Sequence, residues 1–273
     1  MGRPPGGPVC ACRSCHDALV HLSRGVGIAT IEQVDGGAAL EEMTLVEGFP
    51  GVGLVGKIAA DHLIEVFGMR HHANIYCADL PAVAVYHEGD ATLRPPMRLY
   101  ADAEHDLVVL QSDVPVGSAA AAEIAEALEE WSSGRSIHPI YLSGIPRDQD
   151  ETSPTLYGVG NDRGLQRLEA AGIATPTETG LISGPTGVLL YHAIRQETSV
   201  VGLVVGSDPR FPDPEAAEVL VRTGIGPLVD VEVPVDGLID SAEQIRRAKQ
   251  RLAQQMQEAQ DESTQAQPIG MYQ

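Results

Sequence analysis

The stretch VEGFPGVGLVGKIAADHL, residues Val46–Leu63, contains the features that decide the fold class. The apolar residues before its first glycine are typical of a strand, and the glycine-rich part allows a tight turn. The residues after Gly56 predict a helix that runs through Phe67 and ends at Gly68, the C′ position where glycine is favoured. A strand that passes through a glycine loop into a helix is the repeating unit of an α/β fold.

The remainder of the chain repeats this alternation. Strands are predicted over residues 27–34, 43–49, 73–80, 82–89, 97–102, 106–113, 138–145, 155–160 and 199–207. Helices are predicted from Ser118 onward, over 163–171, and over 212–224, where Gly224 closes the helix. Residues 179–194 predict a strand end, a turn and then a helix that has Pro185 near its start. We therefore expect an α/β layered domain over residues 27–240, with a mixed, mostly parallel sheet flanked by helices.

The two ends of the chain differ from this domain. Residues 1–26 are rich in Gly, Pro, Cys and Arg, and we expect them to be disordered or a non-native extension. Residues 241–262 begin with a capping-box pattern and predict a C-terminal helix with a narrow apolar seam. The seam consists of Ile245, Ala248, Leu252, Met256 and Ala259. Residues 263–273 are polar and interrupted by proline and glycine, which predicts a flexible tail.

The net charge of −20 limits the classes of partner. Lys57 and Lys249 are the only lysines, and such an acidic, lysine-poor surface is typical of a salt-loving (halophilic) cytoplasm; an ordinary acidic protein is the alternative. Nucleic acid is not expected as a ligand, because phosphate neutralisation needs a basic face.

No apolar run reaches the ~18 residues that span a bilayer. The N-terminus has no export signal, so we expect a cytoplasmic protein without a membrane partner.

The glycine loop has two interpretations. Gly51, Gly53 and Gly56 have the G-x-G-x-x-G spacing of a dinucleotide loop, and with Lys57 the loop also fits G-x-x-x-x-G-K. Against a nucleotide, Ile58 replaces the hydroxyl residue that holds magnesium in a P-loop. The dinucleotide motif needs an acidic residue about 20 residues past the loop, and that region has Arg70, His71 and His72 instead. The alternative is that the glycines allow a tight turn and close packing.

Other candidate sites have weaker signals. Four potential metal ligands near the N-terminus lie too close together in sequence to complete a tetrahedral site: Cys10, Cys12, Cys15 and His16. Residues 12–16 also fit the C-x-x-C-H pattern of haem attachment, but that chemistry takes place outside the cytoplasm. We expect His71 and His72 to be solvated surface residues whose rings point in different directions. Residues 112–116 and 183–187 follow predicted strands, where open α/β sheets bind ligands, but they contain no partnered acid or base. We therefore predict no catalytic, cofactor-binding or metal-binding residue.

Four motifs, taken together and in order, resemble the archaeal form of the proteasome assembly chaperone 2 (PAC2) family. They are VEGFPGVGLVGKIAADHL (46–63), LQSDVP (110–115), YLSGIP (141–146) and GLISGPTGVLL (180–190). The resemblance implies an α/β domain related in architecture to nucleoside phosphorylases and no established reaction. It also implies a homo-oligomer, for example a tetramer, that is a chaperone or binding factor for the proteasome core particle. In this family the glycine loops are scaffold features, which here would be Gly48, Gly51, Gly53, Gly56, Gly184 and Gly187.

The last three residues fit the same family. Factors that bind the proteasome α-ring resemble one another in ending with a hydrophobic residue, Tyr and any residue, as Met271, Tyr272 and Gln273 do here. The apolar side chain and the Tyr would enter a cleft between α-subunits while the terminal carboxylate meets a Lys. We predict ATP-independent docking of several tails from one oligomer. The alternative is a nucleotide-binding protein or ligase-like enzyme that uses the Gly51–Lys57 loop.

Overall fold

A computed structural model describes residues 29–34, 40, 42–87, 89–147 and 153–238. The strands are β1 Thr30–Gln33, β2 Glu42–Gly48, β3 Arg70–Tyr76, β4 Val85–His87, β5 Asp90–Arg94, β6 Met97–Asp102, β7 Leu107–Ser112, β8 Ser136–Pro146, β9 Leu156–Gly160 and β10 Val201–Ser207. The helices are α1 Val55–Val66, α2 Ser118–Ser132, α3 Asp162–Ala170, α4 Gly184–Arg195 and α5 Pro214–Val219. A π-helical segment, Leu220–Ile225, joins α5 to the short helix α6, Gly226–Val229.

Eight strands form one sheet in the order β1-β3-β6-β7-β2-β8-β10-β9, and β4 and β5 form a separate hairpin. The four central strands β7, β2, β8 and β10 are parallel to one another. The outer strands pair antiparallel, and five of the eight strands (β2, β3, β7, β8 and β10) run in one direction. The predicted α/β fold with a mixed, mostly parallel sheet is confirmed.

Successive residues of each central strand point to opposite faces of the sheet, and both sets are apolar. Helices therefore cover both faces. On β2, Leu45 packs towards α2 and α4, whereas Val46 packs towards α1, α3 and α5. Every residue of β10 is buried, as its uninterrupted apolar sequence predicts. The result is a three-layer domain with an apolar core on each side of the sheet. Within the described residues, no helix is both long enough and apolar enough to cross a membrane.

Two local predictions were wrong. The helix expected to close at Gly224 continues through the π-helical segment to Val229. Gly224 lies against the side chains of Leu203 and Leu156, so the absence of a side chain allows close packing of the helix on the sheet. The expected strand end before α4 is also not formed: residues 179–183 have no strand, and the Ile182 carbonyl packs on Gly187 in α4.

The ends of the chain, residues 1–28 and 239–273, lie outside the described residues. The cysteine-rich start, the predicted helix over 241–262 and the tail over 263–273 therefore stay predictions.

The crossing of α1 over β2 depends on Gly48, because a Cβ there would overlap the Cβ of Ala60. We expect Gly48→Ala to lower the free energy of unfolding by roughly 1–3 kcal/mol, the usual cost of overpacking a core. Gly51→Ala is the matched control, since Gly51 is exposed with nothing within 4 Å of its Cβ position. Urea denaturation of both variants checks this, and equal stabilities would contradict the close approach at Gly48.

Candidate functional site

Open α/β sheets usually bind ligands outside the carboxyl ends of their strands, and here the relevant strands are β2 and β7. These strands are neighbours and parallel, but β2 leads into α1 on one face of the sheet and β7 leads into α2 on the other. Such a change of face opens a crevice outside the carboxyl ends of the two strands. The glycine loop and the LQSDVP motif both reach this crevice.

The glycine loop lies against β10 and the segment before α5. Residues Val52–Leu54 form one 3-10 turn in which Gly53 has a left-handed φ of 60°. A Cβ at Gly53 would overlap the Ser207 hydroxyl, and the Gly53 carbonyl accepts a hydrogen bond from the Asp213 amide at 2.9 Å. The glycine is therefore needed both for its backbone conformation and for the contact with β10.

Lys57, in the first turn of α1, is held by two carboxylates. Its Nζ lies 2.7 and 2.6 Å from the two carboxylate oxygens of Asp61 and 3.0 Å from Oδ1 of Asp113, and only 9% of the residue is exposed. Burial alone would lower the pKa of Lys57, but the two carboxylates outweigh it and raise the pKa above its usual value. The amine is therefore charged and directed at protein groups.

Arg98, on β6, approaches the same carboxylate from the other side. It is wholly buried and donates hydrogen bonds to Asp113 Oδ2 at 2.6 Å and Gln111 Oε1 at 2.7 Å. Burial raises the pKa of Asp113, but Lys57 and Arg98 dominate and hold it at about 2. His87, on the hairpin, lies 3.4 Å from Arg98 through Nε2.

These groups form a neutral network, which we call the crevice network: Lys57, Asp61, Arg98, Gln111 and Asp113. Its two cations and two carboxylates balance, and each charged group has a partner within 3.0 Å. Removing one member of a buried pair typically costs about 3–5 kcal/mol, because the other charge is left uncompensated. The crevice is therefore filled by the protein's own side chains, and the arrangement favours the packing interpretation of the glycine loop.

Sequence reasoning missed most of the crevice network. Asp61 and Arg98 were not singled out: Asp61 lies within the 46–63 motif but has no site pattern of its own, and Arg98 belongs to no motif. The strand order alone brings them into one network. Asp113 lies within 112–116, where a polar residue after a buried strand was the available signal.

A second buried acid, Glu47, lies near the end of β2. Its carboxylate accepts hydrogen bonds from the amides of Phe49 at 2.8 Å and Leu142 at 3.1 Å, and from the Thr186 hydroxyl at 3.4 Å. Burial raises the pKa of Glu47 to about 7, although these three donors favour the charged form. Thr186 stands in the first turn of α4, so Glu47 joins β2 and β8 to the helix that begins with Gly184.

Because the pKa of Glu47 is raised on folding, the folded state keeps its proton where the unfolded chain has lost it. The free energy of unfolding should therefore fall as pH rises from 4.5 to about 7, and level off above. We expect this fall to be about 3 kcal/mol larger in the wild type than in Glu47→Gln, which cannot ionise. Urea denaturation of both proteins across this range measures the difference, and parallel pH profiles would contradict it.

The expectation of solvated histidines was wrong for His72. Its residue is 2% exposed and its ring meets Trp131 of α2 edge-on, with centroids 6.0 Å apart. β3 is an inner strand between β1 and β6, so helices and neighbouring strands cover it. His71 packs instead against Tyr100, at a centroid distance of 5.5 Å, so the two rings do point in different directions.

The structure brings only part of the predicted site residues together. Gly48, Gly51, Gly53 and Gly56 surround the turn from β2 into α1, while Gly184 and Gly187 lie in the first turns of α4. Met271, Tyr272 and Gln273 lie outside the described residues. Among the described residues, no group of three or more His, Cys, Asp or Glu side chains is arranged to hold a metal ion.

A family model described as the PAC2 family matches residues 45–253, which is most of the chain. The chain belongs to the PAC2 family. This confirms the family predicted from the four motifs. The match begins within β2 and includes the glycine loop and every element of the crevice network.

Solved structures of archaeal proteins have the same fold as this PAC2-family chain. Pyrococcus furiosus PbaA, an archaeal homolog of proteasome-assembly chaperone, is 26% identical with a TM-score of 0.72, covering 85% of this chain and 99% of PbaA. Pyrococcus furiosus PbaB, an archaeal proteasome activator, is 21% identical with a TM-score of 0.66, covering 84% and 100%. At this identity, the likeness to PbaB shows the fold alone.

A protein of uncharacterized function from Methanocaldococcus jannaschii is also similar. It is 24% identical over 216 residues, which cover 79% of this chain and 87% of that protein.

Proposed function

We propose that this PAC2-family chain binds the proteasome core particle and assists its assembly or occupies its activator site. The observation that carries the proposal is the family match over residues 45–253, and the likeness to PbaA along nearly the whole of that protein supports it. PbaA is a homolog of proteasome-assembly chaperone and PbaB is a proteasome activator, so both proposed roles have a counterpart among proteins of this fold.

In this proposal the contact with the core particle is made by Met271, Tyr272 and Gln273. The Met and Tyr side chains enter a cleft between neighbouring α-ring subunits, and the terminal carboxylate forms a charge-assisted bond with a Lys in the cleft. Three residues bind weakly alone, so a homo-oligomer presents several tails and raises the affinity by ~10²–10⁴ through effective concentration. ATP, nucleic acid and membranes have no part in this mechanism, and the protein acts in the cytoplasm of an archaeal, halophilic cell.

The crevice network supports a binding role for the tail rather than for the sheet edge. Lys57 and Arg98 are each engaged by carboxylates within 3.0 Å, so neither amine nor guanidinium is available to an incoming anion without breaking a buried ion pair.

Deleting residues 271–273 should abolish co-purification with purified core particle while the oligomer stays intact, because only the docking residues are lost. Tyr272→Ala should weaken binding in the same assay, and Gln267→Ala, a change in the same tail outside the motif, is the matched control. Retained binding by the deletion variant would defeat the proposed docking.

A second candidate function is nucleotide binding, or a ligase-like reaction, at the Gly51–Lys57 loop. Its spacing favours this candidate, and the N-terminus of the 12-residue helix α1 has no side-chain cap to occupy its amides. The engagement of Lys57 by Asp61 and Asp113 weighs against it.

We expect no change in the thermal unfolding midpoint of the full chain on titration with ATP and magnesium, because Lys57 is already paired. Lys57→Ala serves as the comparison. A rise in the midpoint of the wild type that Lys57→Ala removes would favour the nucleotide-binding alternative.

A further inference from the structure

A cavity lies between α2 and α4, at the amino ends of β2 and β8. It is therefore at the opposite edge of the sheet from the crevice network. Its volume is about 170 Å³. An apolar cavity of about 150 Å³ is large enough for benzene, so this one has room for a molecule with a single ring. We call it the α2–α4 cavity.

The inner part of the α2–α4 cavity is mainly apolar. Leu45 of β2, Leu128 of α2 and Pro139 of β8 line it, and all three are buried. Trp131 forms part of the wall and is half-buried, with the Arg135 guanidinium 5.0 Å from its ring centroid. Aliphatic and aromatic side chains of this kind favour a flat, apolar body in a bound molecule.

Tyr141 of β8 adds one polar group to this lining. The residue is 6% exposed, and its hydroxyl makes no hydrogen bond to any residue that the structure describes. A buried tyrosine hydroxyl normally has a partner. Burial, and then the charge of Glu47, raises the pKa of Tyr141, so the hydroxyl keeps its proton and can donate it. The cavity therefore offers a donor that the acceptor atom of a bound molecule would satisfy.

A carboxylate lines the outer part of the cavity. Oε2 of Glu129 accepts hydrogen bonds from Nε2 of His192 at 2.9 Å and from Nε2 of Gln196 at 3.0 Å. These bonds hold the carboxylate in place, whereas its Oε1 makes no hydrogen bond within the described part of the chain. Because a carboxylate has about four acceptor positions, Glu129 can also accept from an N–H group of a bound molecule.

The outer part is better suited to a cation than to an anion. Arg135 is the cationic side chain there, but it already donates to the Trp131 carbonyl and lies over the Trp131 ring. Glu126 and Glu130 are exposed on the same helix as Glu129. With a net charge of −20, the whole chain also attracts cations.

We propose that the α2–α4 cavity binds a small cationic molecule with one ring, whose acceptor atom meets the Tyr141 hydroxyl and whose protonated amine meets Glu129. The site is separate from the crevice network and from residues 271–273. It would be a ligand site in addition to the proposed function, and it does not depend on that function.

Binding can be followed through Trp131, because it is the only tryptophan of the chain. The probe is 4-methoxybenzylamine, which has one ring, an ether oxygen that accepts and a protonated amine that donates. Titrating it into the full chain should change the emission of Trp131 in a saturable way. The comparison compound 4-methylbenzylamine lacks the acceptor, so it should bind roughly 2–10-fold more weakly, the usual effect of one neutral hydrogen bond.

Three variants assign the two polar contacts. Tyr141→Phe should bind both compounds equally, because the hydroxyl that distinguishes them is gone. Tyr86→Phe is the matched control: Tyr86 is 72% exposed on the β4–β5 hairpin, and its loss of a hydroxyl should keep the wild-type difference. Glu129→Gln should weaken both compounds roughly 5–10-fold, because a charge-assisted hydrogen bond is stronger than a neutral one.

The proposal would be overturned if the probe changed neither the emission of Trp131 nor the thermal unfolding midpoint, since the cavity would then hold water only. Equal affinity of the wild type for the two compounds would also overturn it, as would full affinity in Glu129→Gln. The comparison of the two compounds uses the wild-type chain alone, so a folding defect in Tyr141→Phe leaves the test intact.

Discussion

The pairing of Asp113 with Lys57 and Arg98 is the interaction on which the centre of this fold depends. One carboxylate, placed directly after β7, joins the first turn of α1 to the buried strand β6. Arg98 is wholly buried, so its charge needs this partner in every folded molecule. The edge at which an open α/β sheet usually binds ligands is consequently occupied by a neutral network of side chains.

This network gives the glycine loop a structural meaning that its spacing alone does not. In a P-loop the lysine faces phosphates, whereas Lys57 faces Asp61 and Asp113. Gly53 lies on Ser207 and Gly48 lies on Ala60, so two glycines of the motif let α1 approach the sheet. Glu47 adds a buried carboxyl beneath the same turn, tied to β8 through the Leu142 amide. The loop, its strand and its helix thus form one packed unit.

The fold was largely predictable because its strands and helices have strong local patterns. β10 is apolar throughout, and α1 is bounded by a glycine loop and by Gly68, which adopts a left-handed φ of 55°. The crevice network was not predictable, because Lys57 and Asp113 lie 56 residues apart and meet only through the order of the strands. The burial of His72 likewise depends on its contact with Trp131, which belongs to another element. Contacts of this kind join residues from different elements, so they could not be predicted from the sequence around either residue.

In the proposed mechanism the crevice is occupied, and Met271, Tyr272 and Gln273 recognise the core particle. Electron cryomicroscopy of the full chain with purified core particle tests this most directly. The expected map has density for Tyr272 and the terminal carboxylate in clefts between α-ring subunits, with Lys57 still paired to Asp61 and Asp113. A complex held by the glycine loop or the carboxyl edge of the sheet, with those clefts empty, would contradict it.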